Sequence, residues 1–218
     1  MNIIKNLVSS SKYNIKCPYP MDAQFIVVHN TANDASAANE VAYMISNNNK
    51  VSFHYAVDDK QIVQGIPENR NAWHAGDGGS GKGNRYGLSI EICYSKSGGS
   101  RFIEAEKLAA KFIASKLKEK GWGIDKVKKH QDFSGKYCPH RTLDMGWQRF
   151  LDIVKSELDK LKGGATVTEK NVPSSWAKEA WEWAKKEGIT DGTRPKDIMT
   201  REEMVTILYR YHKQVAKK

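Results

Sequence analysis

The stretch Phe25-Ile-Val-Val-His29 decides the fold. It is a short, largely β-branched run, apolar on both faces, so it reads as a strand covered from both sides, with His29 delivered at its end. Behind it, Ala38, Val41, Ala42 and Ile45 recur at helical spacing, with Asp34 or Ser36 as the cap. Phe53 to Val57 and Gln61 to Ile66, split by Asp58-Asp-Lys60, read as a β-hairpin. A Gly/Asn-rich loop from Glu68 to Arg85 leads to a second interior strand, Gly87 to Cys93. Ile103, Leu108, Ala109, Phe112, Ile113 and Leu117 mark a long amphipathic helix that stops at Gly121. Lys126 to Lys129 is a short strand delivering His130, and Trp147, Phe150, Leu151, Val154, Leu158 and Leu161 mark a closing helix. The alternating periods predict an α/β fold with a mixed central β-sheet flanked by helices.

Within the 218 residues this pattern fills residues 1–161, a catalytic-sized domain. Residues 162–172, Lys-Gly-Gly-Ala-Thr-Val-Thr-Glu-Lys-Asn-Val, are small and polar and read as a linker before Pro173. Residues 173–218 form a small helical domain: a Trp-rich helix from Ser174 to Glu187, then one with Met204, Ile207, Leu208 and Tyr211 in one stripe. The latter opens on the capping box Thr200-Arg-Glu-Glu203. So short a piece makes a marginal core and is expected to lean on other surface.

Lys and Arg number 35 against 25 Asp and Glu, a net charge of +10, which attracts a polyanion. No helix carries a dense basic stripe, and the lysines are interleaved with glutamates, so no nucleic-acid partner is expected. The longest apolar runs fall far short of the roughly 20 residues that cross a bilayer, and the N-terminus lacks a signal-peptide core. Three widely spaced cysteines, Cys17, Cys93 and Cys138, suit a reducing compartment better than a disulfide framework.

Chemistry concentrates where His130-Gln-Asp-Phe-Ser-Gly-Lys-Tyr-Cys138 brings an imidazole and a thiolate together across a glycine-containing loop. One further imidazole from a strand completes a three-ligand zinc site whose fourth position stays open. In the strand Gly87 to Cys93, Leu88, Ile90 and Ile92 share one face and put Ser89, Glu91 and Cys93 on the other. A carboxylate buried there without a partner costs several kcal/mol, so Glu91 is expected to face a functional site.

Phe25-Ile-Val-Val-His29-Asn-Thr31, Ser52-Phe-His-Tyr55, Trp73-His-Ala-Gly76, Leu88-Ser-Ile-Glu91-Ile92 and His130 through Gly135-Lys-Tyr-Cys-Pro-His140-Arg141 together resemble the type-2 N-acetylmuramoyl-L-alanine amidases. That group of zinc enzymes includes phage endolysins, muropeptide-recycling amidases and peptidoglycan recognition proteins. The resemblance runs in order from about residue 20 to 160. It implies Zn2+ held by His29, His130 and Cys138, with Glu91 as the catalytic acid-base. Lys136 is implied to stabilise charge on the attacked carbonyl. It also places His74 and Trp73 at the substrate cleft, and Asp132 is expected to orient a ligand histidine. Where some phage amidases carry a tyrosine before a histidine, this chain has Phe53 before His54, so Tyr55 is read as packing.

The implied activity is hydrolysis of the amide bond between N-acetylmuramic acid and L-alanine, with peptidoglycan and anionic secondary wall polymers as partners. A phage or prophage endolysin of a Gram-positive host is the expected role, made in the host cytoplasm and acting at the wall. A host autolysin, a sporulation amidase and a non-catalytic binding module of the same fold are the competing readings, together with a thiol peptidase using Cys138. The C-terminal segment resembles a single S-layer homology unit, and wall attachment, packing on the catalytic domain and homodimerisation all stay open for it.

Overall fold

Strands β2 (Phe25–Asn30) and β5 (Gly87–Ile92) lie side by side and parallel. Ile26, Val27, Val28, Leu88, Ile90 and Ile92 are completely buried, as parallel strands covered on both faces require. In the computed structural model, which describes residues 2–162, 173, 177–190 and 201–215, these strands belong to a six-stranded mixed sheet. Its order is β1-β4-β3-β5-β2-β6, with β1 Ile3–Lys5, β3 Tyr55–Val57, β4 Ile62–Gln64 and β6 Val127–Lys129. Only β3 and β4 pair antiparallel, as the expected hairpin, with Tyr55 opposite Gln64 and Val57 opposite Ile62.

Among the described residues, the helices of the sheet-bearing part are α1 (Tyr13–Lys16), α2 (Ala37–Ser46), α3 (Lys82–Tyr86), α4 (Gly99–Glu119), α5 (Gln131–Ser134), α6 (His140–Asp144) and α7 (Trp147–Leu161). Ser36 caps α2 by accepting the Asn39 amide at 3.3 Å. The buried face of α2 is Ala37, Val41 and Met44; of the expected Ala38, Val41, Ala42 and Ile45, Val41 is buried, Ala38 and Ile45 pack partly buried against the core, and Ala42 is exposed. On α4 the buried face runs through Phe102, Ala105, Ala109, Phe112, Ile113 and Leu117, while Ile103 is 39% exposed. Helix α4 packs on β3, β5 and α7, and α2 packs on β3 and β4. Gly121, at φ 67°, turns the chain out of α4 where an L side chain is disfavoured.

The chain divides into two units, Met1–Lys162 and Gly163–Lys218. In the second, α8 (Lys178–Lys186) and α9 (Arg201–Val215) are described. All of the expected 162–172 linker except Lys162, the start of the Trp-rich helix at 174–176 and the capping residue Thr200 lie outside the described residues. No described helix is long and apolar enough to cross a membrane.

Candidate active site and metal centre

The register of β2 against β5 sets His29 directly opposite Glu91, so both side chains leave the sheet on one face. His29 Nδ1 and Glu91 Oε1 are 3.9 Å apart. His130 follows β6, the other neighbour of β2, and its amide donates to the Val28 carbonyl at 3.3 Å. The loop after it closes where the Gln131 amide donates to the Cys138 carbonyl at 3.0 Å. Asn30 clamps α6 to the end of β2, its Oδ1 accepting the amides of Arg141 at 3.0 Å and Thr142 at 3.2 Å. These ties bring three donors together. His29 Nδ1 lies 3.1 Å from His130 Nδ1 and 3.9 Å from Cys138 Sγ, and all three atoms fall within 4.8 Å of one another.

The set fits zinc. A tetrahedral ion at about 2.0–2.1 Å from nitrogen and about 2.3 Å from sulfur needs donor separations of roughly 3.3–3.6 Å, which the observed spacings bracket. Burial, and after it the charges of His74, His130 and Lys136, hold His29 well below the usual imidazole range. Burial and Lys136 lower His130 too. Both rings therefore favour the neutral form, whose lone pair a metal takes. Burial and the nearby Glu91 push the Cys138 thiol up to about 11, so a cation beside it is what makes it a thiolate. Glu91 is pushed up to about 8 by burial and then Glu40, with Lys136 opposing. Buried polar atoms without hydrogen-bond partners gather here: Thr31 Oγ1, Glu40 Oε1, Glu91 Oε2, His74 Nε2 and His130 Nε2 all belong to residues lining one cleft.

That cleft has a volume of about 1110 Å3, and its walls include Trp73, Lys136, Tyr43 and Lys50. Trp73 is half-buried and donates its indole N–H to the Ile15 carbonyl at 2.9 Å. Lys136 is exposed at the cleft. His74 is buried, with Nδ1 3.0 Å from His29 Nε2. Asp132 departs from expectation: its carboxylate takes the Lys129 amide and ammonium and touches neither ligand histidine. Tyr55 is packing, 2% exposed with its hydroxyl on Glu68 at 2.6 Å. His54 is structural, bonded to Ser89 Oγ and the Arg70 carbonyl at 2.9 Å each. His140 turns to the Ser95 carbonyl at 3.3 Å. Sequence reasoning passed over Glu40 and Asn84, because a glutamate in a helical first turn and an asparagine in a Gly/Asn-rich loop carry no distinguishing pattern.

A mixed α/β sheet whose strand ends gather a His-His-Cys cluster able to hold a metal ion, beside a half-buried carboxylate at the base of an open cleft, is an arrangement suited to hydrolysis. The family described as N-acetylmuramoyl-L-alanine amidase matches residues 19–141. The N-acetylmuramoyl-L-alanine amidase CwlA of Bacillus subtilis (strain 168) is 54% identical over 212 residues, covering 94% of this chain and 76% of CwlA. The amidase XlyB of the same strain is 57% identical over 176 residues, 80% of this chain and 54% of XlyB. The solved structure of PlyL superimposes with a TM-score of 0.69 at 56% identity, over 71% of this chain and 97% of PlyL. The chain belongs to the N-acetylmuramoyl-L-alanine amidase family, hydrolases that degrade cell-wall peptidoglycan.

Proposed function

We propose that the chain is a zinc-dependent amidase that cuts the bond between the lactyl group of N-acetylmuramic acid and the L-alanine of the stem peptide. The observation that carries this is the convergence of His29 Nδ1, His130 Nδ1 and Cys138 Sγ within 4.8 Å, with the Glu91 carboxylate 3.9 Å from His29. Zinc, when bound by those three residues, supplies Lewis-acid polarisation of the carbonyl and a more acidic water. Glu91 takes the proton from the attacking water and passes it to the leaving alanine amine, so one carboxylate serves as base and then acid. Lys136, exposed at the cleft, stabilises the negative charge that develops on the carbonyl oxygen. Trp73 is assigned to the cleft wall that receives the substrate, and His74, also read from sequence as a substrate residue, lines the same cleft. A thiol peptidase is disfavoured because Cys138 is buried and its thiol is held in the protonated form.

The role assigned is that of a phage or prophage endolysin of a Gram-positive host. The net charge of +10 supports accumulation on anionic wall polymers, and the second unit is assigned to wall attachment. The test is metal exchange. Activity on purified walls is expected to vanish after chelation and return with stoichiometric zinc, and metal analysis should find one zinc per chain. Full activity in metal-free protein, or inactivation only by thiol alkylation, would overturn the zinc reading.

A further inference from the structure

The two ring nitrogens of His29 face different groups. Nδ1 points to His130 Nδ1 and Cys138 Sγ, whereas Nε2 lies 3.0 Å from His74 Nδ1, with the rings at 88°. An imidazole that offers its Nδ1 lone pair to a cation carries its proton on Nε2. The group 3.0 Å away must then accept, so His74 presents an unprotonated Nδ1 and carries its own proton on Nε2. That nitrogen makes no hydrogen bond in the structure, although the backbone at Gly83 and Gly87 lies near the ring.

His74 is held from behind. Asn84, 4% exposed, accepts the amides of both His74 and Ala75 on Oδ1 at 2.8 Å each, and its Nδ2 donates to the Gly78 carbonyl at 3.0 Å. The Asp77 carboxylate in turn takes the amides of Gly83 at 2.6 Å and Asn84 at 3.2 Å. The same turn backs the second ligand. The Ala75 backbone faces the His130 imidazole, and Gly76, at a φ of 69° that disfavours an L side chain, carries the turn past His130 at a distance where a Cβ would stand 3.7 Å from Nε2, an ordinary contact.

We propose that His74, held by Asn84, is a positioning residue that fixes the tautomer and direction of His29, with the Trp73–Gly76 turn backing both ligand histidines. The inference rests on the zinc reading above. It moves His74 from substrate contact to the shell behind the metal, the place sequence had given to Asp132. Partners of this kind govern metal affinity by about 10–100-fold.

The test is cobalt binding to the metal-free full-length chain, followed by the cobalt–thiolate charge-transfer band in competition with a chelator. His74→Asn keeps an acceptor near the Nδ1 position but leaves part of the ring volume empty. His74→Phe fills the volume and has no acceptor, and His74→Ala has neither. The expected order is wild type close to His74→Asn, with His74→Phe and His74→Ala weaker by about 10–100-fold. A His74→Phe protein that binds as tightly as wild type, or a His74→Asn protein no better than His74→Phe, would overturn the positioning role. The Asn and Phe pair decides the question even where the alanine variant does not fold. Wild type that binds neither cobalt nor zinc would instead bring down the zinc reading and this inference with it.

Discussion

The two units of the chain handle the same residue types in opposite ways. In Met1–Lys162, aromatic and charged side chains are drawn inside and given partners: Lys16 is fully buried, its ammonium donating to Asn47 Oδ1, the Asn49 carbonyl and the Val51 carbonyl at 2.9, 2.7 and 3.1 Å. Among the described residues of Gly163–Lys218, Ile189 is buried, while Trp183, Leu208 and Tyr209 are 49%, 58% and 57% exposed. Trp183 makes an edge contact with Tyr211, ring centroids 6.3 Å apart. A six-stranded sheet has enough core to hold unpaired carboxylate and imidazole atoms in a cleft against their desolvation cost. Two short helices do not, and their exposed apolar residues suit a surface that works by contact rather than by chemistry.

Replacing Glu91 separates these two kinds of burial most sharply. Glu91→Gln is expected to lower kcat by about 10²–10⁴-fold. The melting temperature should stay level or rise, because a half-buried carboxylate whose Oε2 is buried without a partner is removed. Steady-state kinetics on soluble muropeptide and thermal melts check both halves. Lys16→Met should cost about 3 kcal/mol by removing three ammonium hydrogen bonds to the Asn47–Val51 segment that lines the cleft, measured by denaturant unfolding.

His54 gives the first unit a pH signature of similar size. Burial lowers its folded value from 6.5 to about 4, so the unfolded chain takes up a proton first as pH falls. The contribution is whole above about pH 6.5 and is lost between 6.5 and 4, amounting to about 3 kcal/mol. His54→Gln should flatten that part of the stability profile, and an unchanged slope would remove His54 as its source. The smallest effect belongs to the second unit. Leu208→Ser should change stability by no more than about 0.5 kcal/mol yet weaken sedimentation with purified walls, whereas unchanged wall binding would argue against attachment through α9.

The features legible in the sequence were those with a strong period or a motif. Phe25–Val28 and Leu88–Ile92 declared themselves as interior strands, and His29, Glu91, His130 and Cys138 came together because strand ends and a short loop leave them little freedom. β1, only Ile3–Lys5, escaped because three residues at a sheet edge have no measurable alternation. On α2 the stripe was placed with Ala42 in it and Ala37 and Met44 outside it, because alanines on both sides make the apolar stripe wide. Asp132, expected to orient a ligand histidine, suggested itself because it is close to His130 in sequence, whereas His74 reaches His29 only through folding, 45 residues along the chain.

Digestion of purified cell walls, with assay of newly exposed N-terminal alanine, tests the central claim most directly. Native protein should release alanine termini in step with wall clearing, and both zinc-stripped and Glu91→Gln protein should release none above background over the same period. Wall clearing by the native protein without new alanine termini, or undiminished release by the zinc-stripped protein, would contradict the account.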